Sequence, residues 1–99
     1  MKVVFTDEAV RNLHEIVDYI ARDNRARAKT FAGELREKAL GIGRMPRAYP
    51  LVDQFADEEV RRRVYGDYLI LYSIETDRVV ILFIVHGARD YEALLADRR

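Results

Sequence analysis

The sequence contains no cysteine, no net charge and no apolar run longer than the seven residues Val79–Val85. Without cysteine the chain cannot form disulfide bonds or a thiolate zinc site, which fits a reducing compartment. The apolar run is too short to span a bilayer. The opening segment MKVVFTDEAV carries one positive charge before its acids begin, so we expect no secretory signal. These absences predict a cytoplasmic protein with no membrane partner.

The charges balance at 17 basic and 17 acidic side chains but are unevenly distributed. Residues 24–49 hold seven basic residues against two acidic ones, and an acidic cluster at residues 53–59 precedes Arg61-Arg62-Arg63. A protein that binds nucleic-acid phosphates usually has clearly more basic than acidic side chains. We therefore expect a protein partner, and no direct sequence-specific binding of nucleic acid.

The residue combinations of common enzymes are missing. Ser73 is the only serine and lies in a predicted strand, not at an exposed elbow. No glycine-rich loop follows a strand, and His14 and His86 belong to different elements without metal-ligand spacing. The sequence predicts neither a metal nor a cofactor.

Hydrophobic spacing predicts a first strand at Lys2–Phe5, followed by two helices. Thr6 can cap the first helix, and Asp23-Asn24 ends it. The helices must pack antiparallel because so few residues join them. Their apolar stripes are Ala9, Val10, Leu13, Ile16, Val17 and Ile20 in the first, and Ala28, Phe31, Ala32, Leu35, Ala39 and Ile42 in the second.

Three runs rich in β-branched and aromatic residues predict strands at Val60–Tyr65, Tyr68–Ile74 and Val79–Val85. Their short connections permit only antiparallel hairpins. The last run is apolar on both faces, so we expect it at the centre of the sheet. Asp90–Ala96 can form a terminal helix. Residues 1–99 are thus predicted to be one α+β domain, a helical hairpin packed on an antiparallel sheet.

Four features are candidates for function, each with a structural alternative. Arg61 and Arg63 share one face of a predicted strand and Arg62 takes the other, either to bind carboxylates or phosphates or to keep an edge strand soluble. His86 to Asp90 can bind a partner or end the last strand. The remaining two features are the tyrosines Tyr65, Tyr68 and Tyr72 and the basic outer face of the second helix.

Four segments resemble ParE toxins of the RelE/ParE toxin–antitoxin superfamily in order and spacing. They are Leu13–Asp23, Val60–Arg62, Tyr68–Tyr72 and Ile84–Asp90, the last ending in His-x-x-Arg-Asp. The resemblance implies a toxin that blocks DNA gyrase and is neutralised by a cognate ParD-like antitoxin. Its candidate residues for toxicity or partner binding are Arg61, Arg62, Arg63, His86 and Arg89.

RelE toxins of the same superfamily instead cut messenger RNA on the ribosome, with basic residues on the sheet and a C-terminal tyrosine. Leu69 falls near the position of one expected arginine, and Leu95 near that of the tyrosine. Arg61, Arg63, His86, Arg89 and Tyr91 are the alternative catalytic set, because RNA cleavage needs a base, an acid and positive charge. A ribonuclease and an inactive interaction module therefore remain as alternatives to the gyrase inhibitor.

Overall fold

The computed structural model describes residues 1–87 and residue 90. Two short 3₁₀ segments, Ile42–Arg44 and Asp53–Glu58, lie between the helices and the three later strands. The α+β class and the element order are as predicted. The terminal helix predicted for residues 90–96 falls, apart from Asp90, outside the described residues. The elements are β1 (Lys2–Phe5), α1 (Asp7–Ala21), α2 (Arg25–Gly41), β2 (Arg61–Tyr65), β3 (Tyr68–Glu75) and β4 (Arg78–His86).

Both helices begin at side-chain caps that the sequence predicts. The Thr6 hydroxyl accepts a hydrogen bond from the Ala9 N–H at 3.0 Å, and the Asn24 side chain accepts one from the Arg27 N–H at 2.9 Å. Each cap satisfies one of the amide groups that lack a partner within the first turn. Neither helix in the described part of the chain is long and apolar enough to cross a membrane.

The sheet has the strand order β1-β4-β3-β2. β4 lies centrally, as its apolar character predicts, and β2, β3 and β4 form the expected antiparallel meander. The prediction of a wholly antiparallel sheet needs one correction, because β1 pairs with β4 in parallel from Lys2↔Arg78 to Phe5↔Ile81. β1 thus pairs with the second side of β4 between Arg78 and Ile81. The chain then passes directly from β1 into α1.

A β-bulge in β4 decides which of its side chains face the helices. Leu71 pairs with Phe83 and Tyr72 with Ile81, so Leu82 is an extra residue. The Thr6 hydroxyl donates to the Leu82 carbonyl at 3.0 Å, which ties the bulge to the start of α1. Because one inserted residue reverses the alternation, both Ile81 and Ile84 lie on the helix side of the sheet.

The sheet separates two apolar clusters. The larger one lies under the helices and includes the buried side chains of Phe31, Leu35 and Tyr72. On the opposite face, Val52, Val60 and Leu71 are buried together with Phe55, which belongs to the segment Asp53–Glu58. Partly buried apolar residues extend this second face, which we call the helix-free face: Leu69, Leu82, Phe83 and Val85.

Candidate interaction surfaces

Arg61 and Arg63 lie on the helix side of β2 and bind main-chain carbonyls. Arg61 donates to the carbonyls of Tyr49 at 2.7 Å and Arg47 at 3.3 Å. Arg63 donates to the Lys38 carbonyl at 2.8 Å, and its guanidinium lies 4.9 Å from the centre of the Tyr49 ring. A cation at the last turn of α2 is favourable because it meets the negative end of the helix dipole. Arg61 therefore holds the segment after α2 against the sheet, and Arg63 holds the last turn of α2 there.

Arg62 lies on the opposite face of β2. It pairs with Leu71, so its side chain shares the helix-free face with that residue. Its backbone N–H donates to the Pro50 carbonyl at 3.0 Å, which covers part of the β2 edge. The Arg62 guanidinium makes no hydrogen bond or ion pair with the described residues, so of the three arginines it is the one without a role in holding this part of the fold.

The end of β4 forms a compact polar turn. The Asp90 carboxylate accepts from the His86 N–H at 3.4 Å, the Asp90 N–H donates to the His86 carbonyl at 2.9 Å, and the Gly87 N–H donates to the Asp67 carbonyl at 2.8 Å. The imidazole of His86 meets the Tyr68 ring edge-on at 5.4 Å between centroids. His86 and Asp90 thus close the strand, which is the structural alternative given above.

The tyrosines of the sheet pack with their neighbours and do not form a stacking platform. Tyr72 is fully buried, and its hydroxyl donates to the Pro46 carbonyl at 2.5 Å. Tyr68 meets Phe31 edge-on at 5.2 Å, and Phe31 also contacts Tyr65 at 5.7 Å. Because the rings are engaged by one another, their faces are not arranged to receive nucleobases.

An exposed polar network joins α2 to β2. The Tyr65 hydroxyl donates to Glu34, and Arg27 donates to both Glu34 oxygens at 3.0 Å. The bonds from Tyr65 and Arg27 lower the pKa of Glu34, and the bond to Glu34 raises the pKa of Tyr65. This network was not predicted from the sequence, although Arg27 and Glu34 lie two helical turns apart on α2.

Open depressions adjoin several of the residues named above. The first, of about 330 Å³, lies between α1 and β4 and is lined by residues including Asn12, Ile16, Tyr19, Ile84 and Asp90. We call it the edge groove, because β1 pairs only as far as Ile81 and no other described residue pairs with this side of β4 beyond it. The Asn12 side chain accepts from the Ile84 N–H at 3.0 Å there.

The second depression, of about 260 Å³, lies at the end of α2. Its lining is mainly cationic. Of its residues, only Lys38 and Glu37 were predicted to lie on the outer face of α2, and their proximity to Arg44 and Arg63 was not predicted. We call it the basic pocket, and it is lined by Glu37, Lys38, Gly41, Arg44 and Arg63. The signal that could have identified it is the density of basic residues between 24 and 49.

The alternative catalytic residues are not gathered around one point in the described structure. Arg63 is on β2 and His86 on β4, with β3 between them, so their backbones are about 10 Å apart or more. Arg89 and Tyr91 lie outside the described residues. Within residues 1–87 and residue 90, no group of histidine and acidic side chains is placed to hold a metal ion.

Comparison with known proteins gives the class of the fold. The structure resembles one described as the chromosomal ParDE TA system from P. aeruginosa, with a TM-score of 0.74 and 16% sequence identity. The match covers 87% of this chain and 95% of the other. A search of curated proteins found no significant sequence match. The structural likeness establishes the fold, a small α+β domain.

The family follows from the sequence model that matches residues 3–91, described as ParE toxin of type II toxin–antitoxin system, parDE. This match spans most of the chain and includes all four segments that carry the resemblance. The chain belongs to the ParE toxin family.

Proposed function

We propose that this ParE toxin stops growth by binding DNA gyrase, without catalysing a reaction, and that a cognate ParD-like antitoxin neutralises it in the cytoplasm. One observation carries the non-catalytic part of this proposal. Arg61 and Arg63, two residues of the alternative catalytic set, donate to main-chain carbonyls. Arg61 bonds the segment after α2, and Arg63 bonds the Lys38 carbonyl in the last turn of α2.

The helix-free face also supports a toxin that does not cleave RNA. Leu69 stands near the position where a RelE-type toxin has an arginine, and it belongs to an apolar cluster with Leu71, Phe83 and Val85. Cleavage of RNA needs positive charge around the scissile phosphate, which aliphatic and aromatic side chains do not supply. Arg62 is the β2 residue that brings charge to this face, so we name it as the first candidate for contact with the target.

The edge groove is the site that we propose for the antitoxin tail. Among the described residues it leaves this side of β4 open for main-chain pairing, with the apolar side chains Ile16 and Ile84 beside it. A disordered segment that orders on its partner can combine such strand addition with apolar anchoring. Asn12 already occupies the Ile84 N–H, so an added strand would pair beside it or displace it.

Purified toxin should inhibit the supercoiling of relaxed plasmid by gyrase, and added antitoxin should restore it. The same preparation should leave messenger RNA intact in a translating ribosome assay. Cleaved messenger together with unaffected supercoiling would replace this proposal by the ribonuclease, and no growth arrest on expression would favour an inactive interaction module.

The Arg62→Ala and Arg89→Ala variants locate the target contact. We expect each to reduce growth arrest while the far-UV circular dichroism and melting temperature stay close to the parent. Arg25→Ala is the matched control, because it removes an exposed arginine at the start of α2, away from Arg62 on β2. Equal toxicity of all three variants would remove Arg62 and Arg89 from the proposed site.

A further inference from the structure

We propose that the basic pocket at the end of α2 binds a glutamate or aspartate side chain within an acidic, partly apolar peptide segment of a partner protein. The pocket brings together cations from three separate parts of the chain: Lys38 of α2, Arg44 of the following turn and Arg63 of β2. The site does not depend on which macromolecule the toxin inhibits.

Within the described part of the chain, the cations of the pocket outnumber the acids that line it. The Lys38 ammonium and the Arg44 guanidinium have no hydrogen-bonded or ion-paired partner there. The neighbouring acid Glu34 is already bound by Arg27 and Tyr65. Glu37 is the single acid among the lining residues, so three positive charges face one negative charge in a protein whose net charge is zero.

Arg63 is held in place before any ligand arrives. One guanidinium nitrogen bonds the Lys38 carbonyl at 2.8 Å, and the group lies over the Tyr49 ring. Gly41 leaves it room, since a Cβ at that position would lie 3.2 Å from the same nitrogen. A guanidinium fixed in this way loses little side-chain freedom when it binds a carboxylate.

The shape and surroundings of the pocket favour a peptide over a nucleic acid. A depression of about 260 Å³ suits one side chain, whereas a nucleic-acid backbone calls for cations spread along a track. Met45 follows Arg44 directly and is 64% exposed, and methionine and arginine are both residue types enriched at protein interfaces. An acidic segment with interspersed apolar residues matches both features.

The test is an NMR titration of the isotope-labelled full chain with a short peptide of alternating glutamate and leucine. We expect the largest shifts at Lys38, Gly41, Arg44 and Arg63, and binding that weakens as salt is raised. The same peptide with glutamine in place of glutamate should not bind. Equal binding of the glutamine peptide, or tighter binding of a DNA oligonucleotide at the same residues, would overturn the proposal.

Variants make the test specific to the pocket. The double variant Lys38→Gln with Arg44→Gln should weaken binding of the glutamate peptide about tenfold. Arg25→Gln with Lys29→Gln removes the same charge from the exposed start of α2 and should change affinity less than about twofold.

Glu37→Gln should tighten binding about twofold to fivefold, because it removes the acid of the pocket. Weakened binding in this variant, or equal losses in the two double variants, would show that the pocket is not the site.

Discussion

Replacing Tyr72 by phenylalanine tests how the segment after α2 is held against the core. Tyr72 is fully buried, and its hydroxyl donates to the Pro46 carbonyl at 2.5 Å. Removal of a hydrogen bond of this kind costs about 1 kcal/mol of unfolding free energy. We therefore expect the Tyr72→Phe variant to be less stable by about 1 kcal/mol at neutral pH, with the fold unchanged.

The same substitution should change how stability depends on pH. Burial raises the pKa of Tyr72 to about 12, and the nearby Arg61 charge opposes part of that rise. The unfolded phenol ionises near pH 10, so the contribution of Tyr72 is complete below pH 10 and is lost as pH rises toward 12. Two pKa units correspond to at most about 2.7 kcal/mol, and solvent screening reduces this to about 1–2 kcal/mol.

Urea unfolding from pH 7 to pH 11.5 measures both effects. The parent should be more stable than Tyr72→Phe at pH 7, and the difference should shrink or reverse near the upper end. Tyr49→Phe is the matched control. The ring centroids of Tyr49 and Tyr72 are 6.4 Å apart, and the Tyr49 hydroxyl has no hydrogen-bond partner among the described residues. Parallel stability curves for parent and Tyr72→Phe across this range would refute the reasoning.

Three further substitutions test the fold and its surfaces. Thr6→Val removes both the cap of α1 and the bond to the bulge carbonyl of Leu82, so thermal unfolding should show a loss of about 1–2 kcal/mol, while Thr6→Ser should retain most of it. Leu35→Ala empties a fully buried position and should cost about 3 kcal/mol in urea unfolding, against less than about 1.5 kcal/mol for Leu35→Met. Asn12→Ala frees the Ile84 N–H, so hydrogen exchange at that amide should accelerate while exchange at Ile70 in the core stays slow; unchanged exchange at Ile84 would contradict the bond.

The elements of the fold could be predicted because each has a local chemical cause. Thr6 and Asn24 cap their helices with side chains that the sequence shows directly. Gly66 begins the two-residue turn between β2 and β3 with a φ of 58°, a conformation that glycine adopts without strain. The central place of β4 also followed from its composition, since a strand that is apolar on both faces must be covered on both.

The bulge and the parallel pairing of β1 could not be predicted in this way. Nothing in a run of seven apolar residues distinguishes Leu82 from its neighbours, and the bulge depends on contacts with Thr6, which is far away in sequence. The pairing of the first strand with the last is equally non-local. Both features are set by tertiary contacts, which a pattern read along the chain does not contain.

The sequence identified the arginines of the candidate site and the faces on which they lie, but not the contacts that they make. Alternation along β2 correctly separated Arg62 from Arg61 and Arg63, because side chains of a strand alternate between its faces. It could not show that Arg61 bonds the segment after α2 or that Arg63 bonds the Lys38 carbonyl in the last turn of α2, since these contacts are not local in sequence. The basic pocket was missed for the same reason.

We propose that this member of the ParE toxin family acts on gyrase by binding and not by cutting RNA. The most direct measurement is a gyrase supercoiling assay run beside a ribosomal messenger-cleavage assay with one preparation of toxin, with and without antitoxin. We predict inhibited supercoiling that the antitoxin reverses, together with intact messenger. Messenger cleavage with undisturbed supercoiling would contradict the account.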